Sequence, residues 1–148
     1  MNQLQTKIEE DFITALKSKD EAKTSTLRLL KNTIKNKEIE AQKELDEPQI
    51  IQVLQKEISQ RKESISEFKK GGRADLVEKE SAEIETLKQY LPKQMDDQEL
   101  DTIVKAEIKE QNAASIKDMG KVMQGVMSKV AGSADNQKIA QIVKKYLA

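Results

Sequence analysis

The residue pattern closest to a catalytic one is Ser66-Glu67-Phe68-Lys69, which has the Ser-x-x-Lys spacing of some acyl-transfer enzymes. In such sites the lysine withdraws the serine proton, and a loop of backbone N–H groups receives the developing oxyanion. Here the motif falls inside a helical pattern, between a heptad isoleucine and a phenylalanine, with no such loop in view. No catalytic residue is therefore assigned. Gly120 and Gly125 fit the first half of a phosphate-binding loop, but Val126 stands where lysine is required and no strand precedes it. Close helix packing or a bend is the better use of these two glycines. Asp96, Asp97, Glu99 and Asp101 lack the turn-forming glycine and terminal bidentate glutamate of a calcium loop, so helix capping explains them. The chain has no histidine and no cysteine, which removes imidazole bases, thiol nucleophiles, disulfides and thiolate zinc sites. No cofactor and no metal are expected.

The elements that must carry any function are helical. Only 5 glycines and 2 prolines punctuate 148 residues rich in good helix formers. Leu4, Ile8, Phe12 and Leu16 form one stripe, and Leu27, Leu30 and Ile34 mark a second helix that Ser18 or Asp20 can cap. Asp46, Pro48 and Gln49 then have the order of an N-cap, a first-turn proline and a capping box. The third helix carries Ile51, Ile58 and Ile65 at seven-residue spacing, flanked by Leu54 and Phe68, and stops at Gly71-Gly72. Val77, Ile84, Leu87 and Leu91 follow on a fourth helix that Pro92 ends.

Beyond Pro92, the cluster Asp96–Glu99 opens a helix bearing Leu100, Ile103, Val104 and Ile108. Ser115-Ile116-Lys117-Asp118 reads as a capping box for a helix with Met119, Met123, Val126, Met127 and Val130 on its apolar side. Gly132-Ser133-Ala134-Asp135 turns into a last helix with Ile139, Ile142, Val143 and Leu147. The expectation is an all-α protein of two lobes: long antiparallel helices over residues 1–92, four in number, and a small three-helix lobe over 93–148.

Charge is balanced overall, 26 basic against 26 acidic residues, which argues against coating nucleic acid or membranes through net charge. Locally it is not balanced. Residues 96–111 carry −4, residues 112–148 carry +4, and residues 17–43 carry +4. No 18-residue apolar stretch exists, and the first residues have no basic segment followed by an apolar one. These features set the expectation of a cytoplasmic protein with no membrane partner.

The segment Asp118-Met119-Gly120-Lys121-Val122-Met123, with Met127 and Gly132-Ser133-Ala134-Asp135, resembles the signature of the GatB/YqeY family. Tyr90-Leu91-Pro92-Lys93-Gln94-Met95 with Glu99-Leu100 is similar to its inter-lobe segment. Lys31, the stretch from Lys56 to Arg61-Lys62, and Asp75-Leu76-Val77 resemble its N-terminal half. The resemblance implies a stand-alone YqeY-like protein whose C-terminal lobe is similar to the tail of the B subunit of a glutamine-dependent tRNA amidotransferase. That tail helps to hold tRNA, while other parts of the amidotransferase perform the chemistry. The family as a whole is associated with carbon–nitrogen ligase activity using glutamine as amido donor. Ser133 departs from the family pattern, standing where a basic residue is common, and so does the order Gln124-Gly125.

Three readings follow. The first is a non-catalytic tRNA-binding or amidotransferase-associated module, partnered by tRNA, tRNA amidotransferase or other translation proteins. Its phosphate-contacting face would be Lys117, Lys121, Lys129 and Lys138, with backbone N–H groups after Asp135-Asn136 at the start of the last helix. With 23 lysines to 3 arginines and few aromatics, recognition would be of shape and backbone rather than of bases. The second is a helical protein-interaction adaptor. The third is a carbon–nitrogen ligase, by family association only.

Overall fold

A computed structural model describes residues 1–148. It contains seven α-helices, one 3-10 turn and no strand. The chain divides into two compact units, Met1–Leu91 and Pro92–Ala148.

The first unit holds α1 (Gln3–Lys17), α2 (Glu21–Ala41), α3 (Glu47–Lys70) and α4 (Ala74–Lys88). Asn2, Asp20 and Asp46 accept backbone N–H bonds at the starts of the first three, so each helix begins where an oxygen-bearing side chain satisfies an otherwise orphaned donor. Asp46 and Gln49 complete the capping box expected for α3. Gly72 adopts φ of +70° in the turn between α3 and α4, where a Cβ would be strained. α4 ends at Lys88, before Pro92 is reached, and residues 89–91 turn away from it.

Burial in this unit follows the helical period more closely than the spacing of its largest apolar residues. On α1, Ile8 is buried and Leu4 and Phe12 pack against the core, but Leu16 is 45% exposed and Ala15 takes the inward place. Steps of four residues advance about 400°, so a stripe drifts about 40° per step and leaves the core by its third. On α3 the seven-residue series is only partly used. Ile58 is buried, whereas Ile51 and Ile65 are half-buried beside Ile50, Val53 and Leu54. Polar ties supplement this core. Arg61 of α3 donates through Nε to Glu83 of α4 at 2.9 Å and pairs through Nη1 with Glu57 at 3.1 Å. Tyr90 donates its hydroxyl to Asp11 at 2.6 Å, and burial together with that carboxylate pushes the phenol up from its ordinary value.

The second unit holds α5 (Asp97–Gln111), a 3-10 turn (Ile116–Asp118), α6 (Met119–Val130) and α7 (Asn136–Leu147). Asp96 and Glu99 form a capping box, Asn112 ends α5 in the left-handed region, and Asp135 caps α7. The segment before α5 is fastened to the turn before α7 by Met95 N–H on the Ser133 carbonyl at 2.8 Å. Leu100 and Val104 of α5, Val122, Val126 and Val130 of α6, and Ile139 and Val143 of α7 fill the core. On the apolar side of α6, Met119, Met123 and Met127 pack partly buried against the core's rim, and the buried stripe is Val126 and Val130, as expected, joined by Val122. Valine fits where three short helices meet closely, while the longer thioether side chains cover the edge.

Candidate nucleic-acid interface

The charge asymmetry of the second unit is resolved by folding. α5 carries the acids, and it packs against both α6 and α7, which carry the bases. Lys129 of α6 reaches Glu107 at 2.6 Å and Glu110 at 2.8 Å. Lys138 of α7 is paired with Asp97. Asp101 accepts the Tyr146 hydroxyl at 2.6 Å and pairs with Lys105 at 3.3 Å. The acids at the start of α5 are thus occupied in capping and ion pairs, and no group of three acidic side chains is arranged to hold a metal ion.

Glu107 is the centre of this contact. It is only 5% exposed, and its Oε1 accepts from Gln111 Nε2 at 2.6 Å while Oε2 faces Lys129. Lys129 and then Gln111 hold its carboxyl below the usual carboxylate range, and Glu107 in turn raises Lys129. Gln111 also donates to the Lys121 carbonyl at 3.0 Å. This arrangement fits because residue 125 is glycine. A Cβ there would stand 2.0 Å from the Glu107 carboxylate and 2.8 Å from Gln111 Nε2. Close packing is therefore the role of Gly125. Gly120 differs: a Cβ at that position would meet nothing within 4 Å, and its φ is not positive.

The four expected lysines are not on one face. Advancing about 100° per residue along α6, Lys121 points away from the valine stripe and Lys129 points toward α5, while Lys117 lies in the 3-10 turn before the helix. Lys117 and Lys121 are exposed and have no ion-pair partner within 4 Å. Asp118, the acid between them, is engaged with the backbone: its Oδ2 accepts from Ala114 N at 3.0 Å and from Ser115 N at 3.4 Å. Those N–H groups lower its pKa. At the start of α7, the Gln137 N–H is bonded to Asp135, so one of the donors expected to meet a phosphate already has a partner. Sequence reasoning missed Glu107 and Gln111. The signal was present: Leu100, Val104, Glu107 and Gln111 fall at i, i+4, i+7 and i+11, which places both polar residues on the inward stripe.

In the first unit Lys31, singled out by the family resemblance, pairs with Glu9 at 2.7 Å and lies 4.1 Å from the Phe12 ring centre. It borders a groove of about 440 Å³ whose walls mix Lys31 and Lys35 with Glu9 and Glu38. Ser66 and Lys69 lie exposed near the C-terminal end of α3, Lys69 in its last turn. No helix is long and apolar enough to cross a membrane.

A family model described as Yqey-like protein matches residues 5–147, nearly the whole chain. The chain belongs to the YqeY family. Among curated relatives, the altered inheritance of mitochondria protein 41, mitochondrial, of Lachancea thermotolerans is 48% identical over 85 residues, covering 57% of this chain and 46% of the relative. The protein of the same name from Kluyveromyces lactis is 48% identical over 84 residues, covering 56% of this chain and 45% of the relative. Each of these two matches spans about half of the relative's length. That of Vanderwaltozyma polyspora is 34% identical over 147 residues, covering 94% of this chain and 80% of the relative.

These YqeY-family relatives correct the expectation of a cytoplasmic protein, because each is named as mitochondrial. The expectation rested on the lack of a long apolar stretch and of a basic-then-apolar leading segment. Neither distinguishes one reducing compartment from another, and a folded helical domain of balanced charge has the same composition in either.

Proposed function

We propose that this YqeY-family chain is a non-catalytic module that holds a structured RNA of the tRNA class by its backbone, through the outer face of its second unit. The observation that carries this reading is the sorting of lysines: Lys129 and Lys138 are neutralised by α5, whereas Lys117 and Lys121 stand exposed with no carboxylate within 4 Å, Asp118 acting on Lys121 only at longer range. A lysine without an acidic partner releases counterions when it meets a phosphate, and a paired one must first give up its carboxylate. The binding face is thus narrower than the sequence suggested, with Lys117 and Lys121 as its primary contacts and Lys129 and Lys138 secondary. An enzyme that handles tRNA, such as an amidotransferase, is the class of protein that such a module would serve.

The adaptor reading has its own support in the first unit, where Leu29 and Ile39 of α2 are 52% and 64% exposed. The ligase reading has least, since Ser66 and Lys69 are both exposed at the end of α3 and neither is held by a neighbouring side chain in a catalytic arrangement. Binding of the purified chain to unmodified tRNA by filter retention, at two salt concentrations, separates these. We expect salt-sensitive retention that does not depend on tRNA sequence. Retention that is absent at low salt would favour the adaptor, and ammonia release from glutamine by the chain alone would favour the ligase.

A further inference from the structure

Gly120 is unexplained by the fold that contains it. It is the second residue of α6, it is exposed, its φ is not in the left-handed region, and a Cβ would meet no atom within 4 Å. Neither backbone conformation nor packing within the chain asks for glycine, and in a helix glycine is less favourable than alanine. Gly125, in the same helix, shows what an internal requirement looks like: its Cβ would collide with Glu107.

The surroundings of Gly120 say what could use the bare backbone. Ile116, one turn earlier on the same side, is 46% exposed. Lys117 and Lys121 flank it, exposed and without ion-pair partners, while the Asp118 carboxylate is held by the N–H groups of Ala114 and Ser115. The result is a stretch of bare helix backbone beside one exposed apolar side chain and two cations. Its net positive charge fits a polyanion laid across it.

We infer that Gly120 is a close-approach contact, where the sugar–phosphate backbone of the bound RNA rests directly on the α6 backbone between Lys117 and Lys121. This inference rests on the RNA-binding reading and adds the point of contact to it. The missing side chain lets a bulky ribose–phosphate come within van der Waals distance of the helix while both lysines reach its phosphates. Shape at Gly120 and charge at the lysines are then separable. A methyl at position 120 blocks the approach without removing a cation, so affinity falls while the number of released counterions stays the same.

The test is Gly120→Ala in the full chain, read by thermal melting and by tRNA affinity across a salt series. We expect the melting temperature to rise by up to about 4 °C, because alanine is the better helix former and Gly120 lies in the first turn. We expect tRNA affinity to fall about tenfold with an unchanged salt slope, as one misplaced methyl group does in a close contact. If the wild-type chain binds tRNA and Gly120→Ala binds as tightly, the contact at Gly120 is refuted and the RNA reading survives. If the wild-type chain binds no tRNA at low salt, the RNA reading fails and takes this contact with it. A lowered melting temperature would show that the fold itself needs Gly120, which also overturns the inference.

Discussion

Two sides of α6 use the same residue types for opposite ends. On the side facing α5, Gly125 makes room for the buried Glu107 carboxylate, and Lys129 neutralises it. On the outer side, Gly120 makes room for nothing within the chain, and Lys121 has no acid within ion-pair distance, Asp118 acting on it only at longer range. A glycine and a lysine on a helix therefore carry no fixed meaning. What distinguishes the pairs is the neighbouring helix: α5 brings acids to one side and leaves the other bare. Charge counted along the sequence overstates the binding surface, because part of the +4 of residues 112–148 is consumed by the −4 of residues 96–111.

The comparison breaks most visibly at Gly125. Gly125→Ala should destabilise the second unit by about 1–3 kcal/mol, the usual range for overpacking, read as a lower melting temperature. In a Glu107→Ala background the same substitution should be neutral or stabilising, because the obstructing carboxylate is gone and alanine favours the helix. Additive effects of the two changes would mean that the Glu107–Gly125 contact is not what fixes the glycine.

The ion pair gives the next effect, and its sign follows from linkage. The folded-state pKa of Glu107 is depressed, chiefly by Lys129. The stability it contributes is therefore present above the unfolded value near 4.5 and is lost as pH falls through the lower, folded value. Melting temperature measured downward from pH 6 should fall less steeply for Glu107→Gln than for the wild type. Equal acid slopes would place the titrating group elsewhere. Lys129→Ala should lower the melting temperature at neutral pH, since it leaves an inward carboxylate without its cation.

On the other side of the helix the expected stability effects are small and of opposite sign. Gly120→Ala should stabilise by at most about 1 kcal/mol, since the position is in the first turn of α6. That gain contrasts directly with the loss at Gly125, and melting curves of the two single variants recorded together would show it.

Much of the helical framework was legible in the sequence because capping is local chemistry. Asp46 with Gln49, Asp96 with Glu99, and Gly71-Gly72 mark boundaries through contacts only a few residues long. Burial was legible less well where drift matters. Leu16 continues the four-residue spacing of α1 and ends up exposed, and Ala15 is buried without having drawn notice. The sequence points to Met119, Met123, Val126, Met127 and Val130 as the apolar side of α6; Val126 and Val130 are core, the methionines pack partly buried against it, and the buried Val122 drew no notice.

The candidate site was legible by residue type and not by pairing. Lys117, Lys121, Lys129 and Lys138 all read as available cations in one dimension. The positions of Glu107 and Asp97 across from two of them depend on how α5 packs against α6 and α7, which spacing along the chain does not encode. Likewise the two glycines looked alike until Glu107 was seen against one of them.

The central claim is that the outer face of α6 and the 3-10 turn before it contact an RNA backbone through Lys121 and Lys117. The most direct test is the salt dependence of tRNA binding by Lys117→Ala with Lys121→Ala, against the wild type and against Lys138→Ala. The account predicts that the double variant lowers the slope of log affinity against log salt by about two, roughly one per phosphate contact removed, while its melting temperature is unchanged. Lys138→Ala should change the slope by less than either lysine of the outer face, because Asp97 already neutralises it. A double variant with wild-type affinity and slope would contradict the claim, and Lys117 and Lys121 would then be solvated surface.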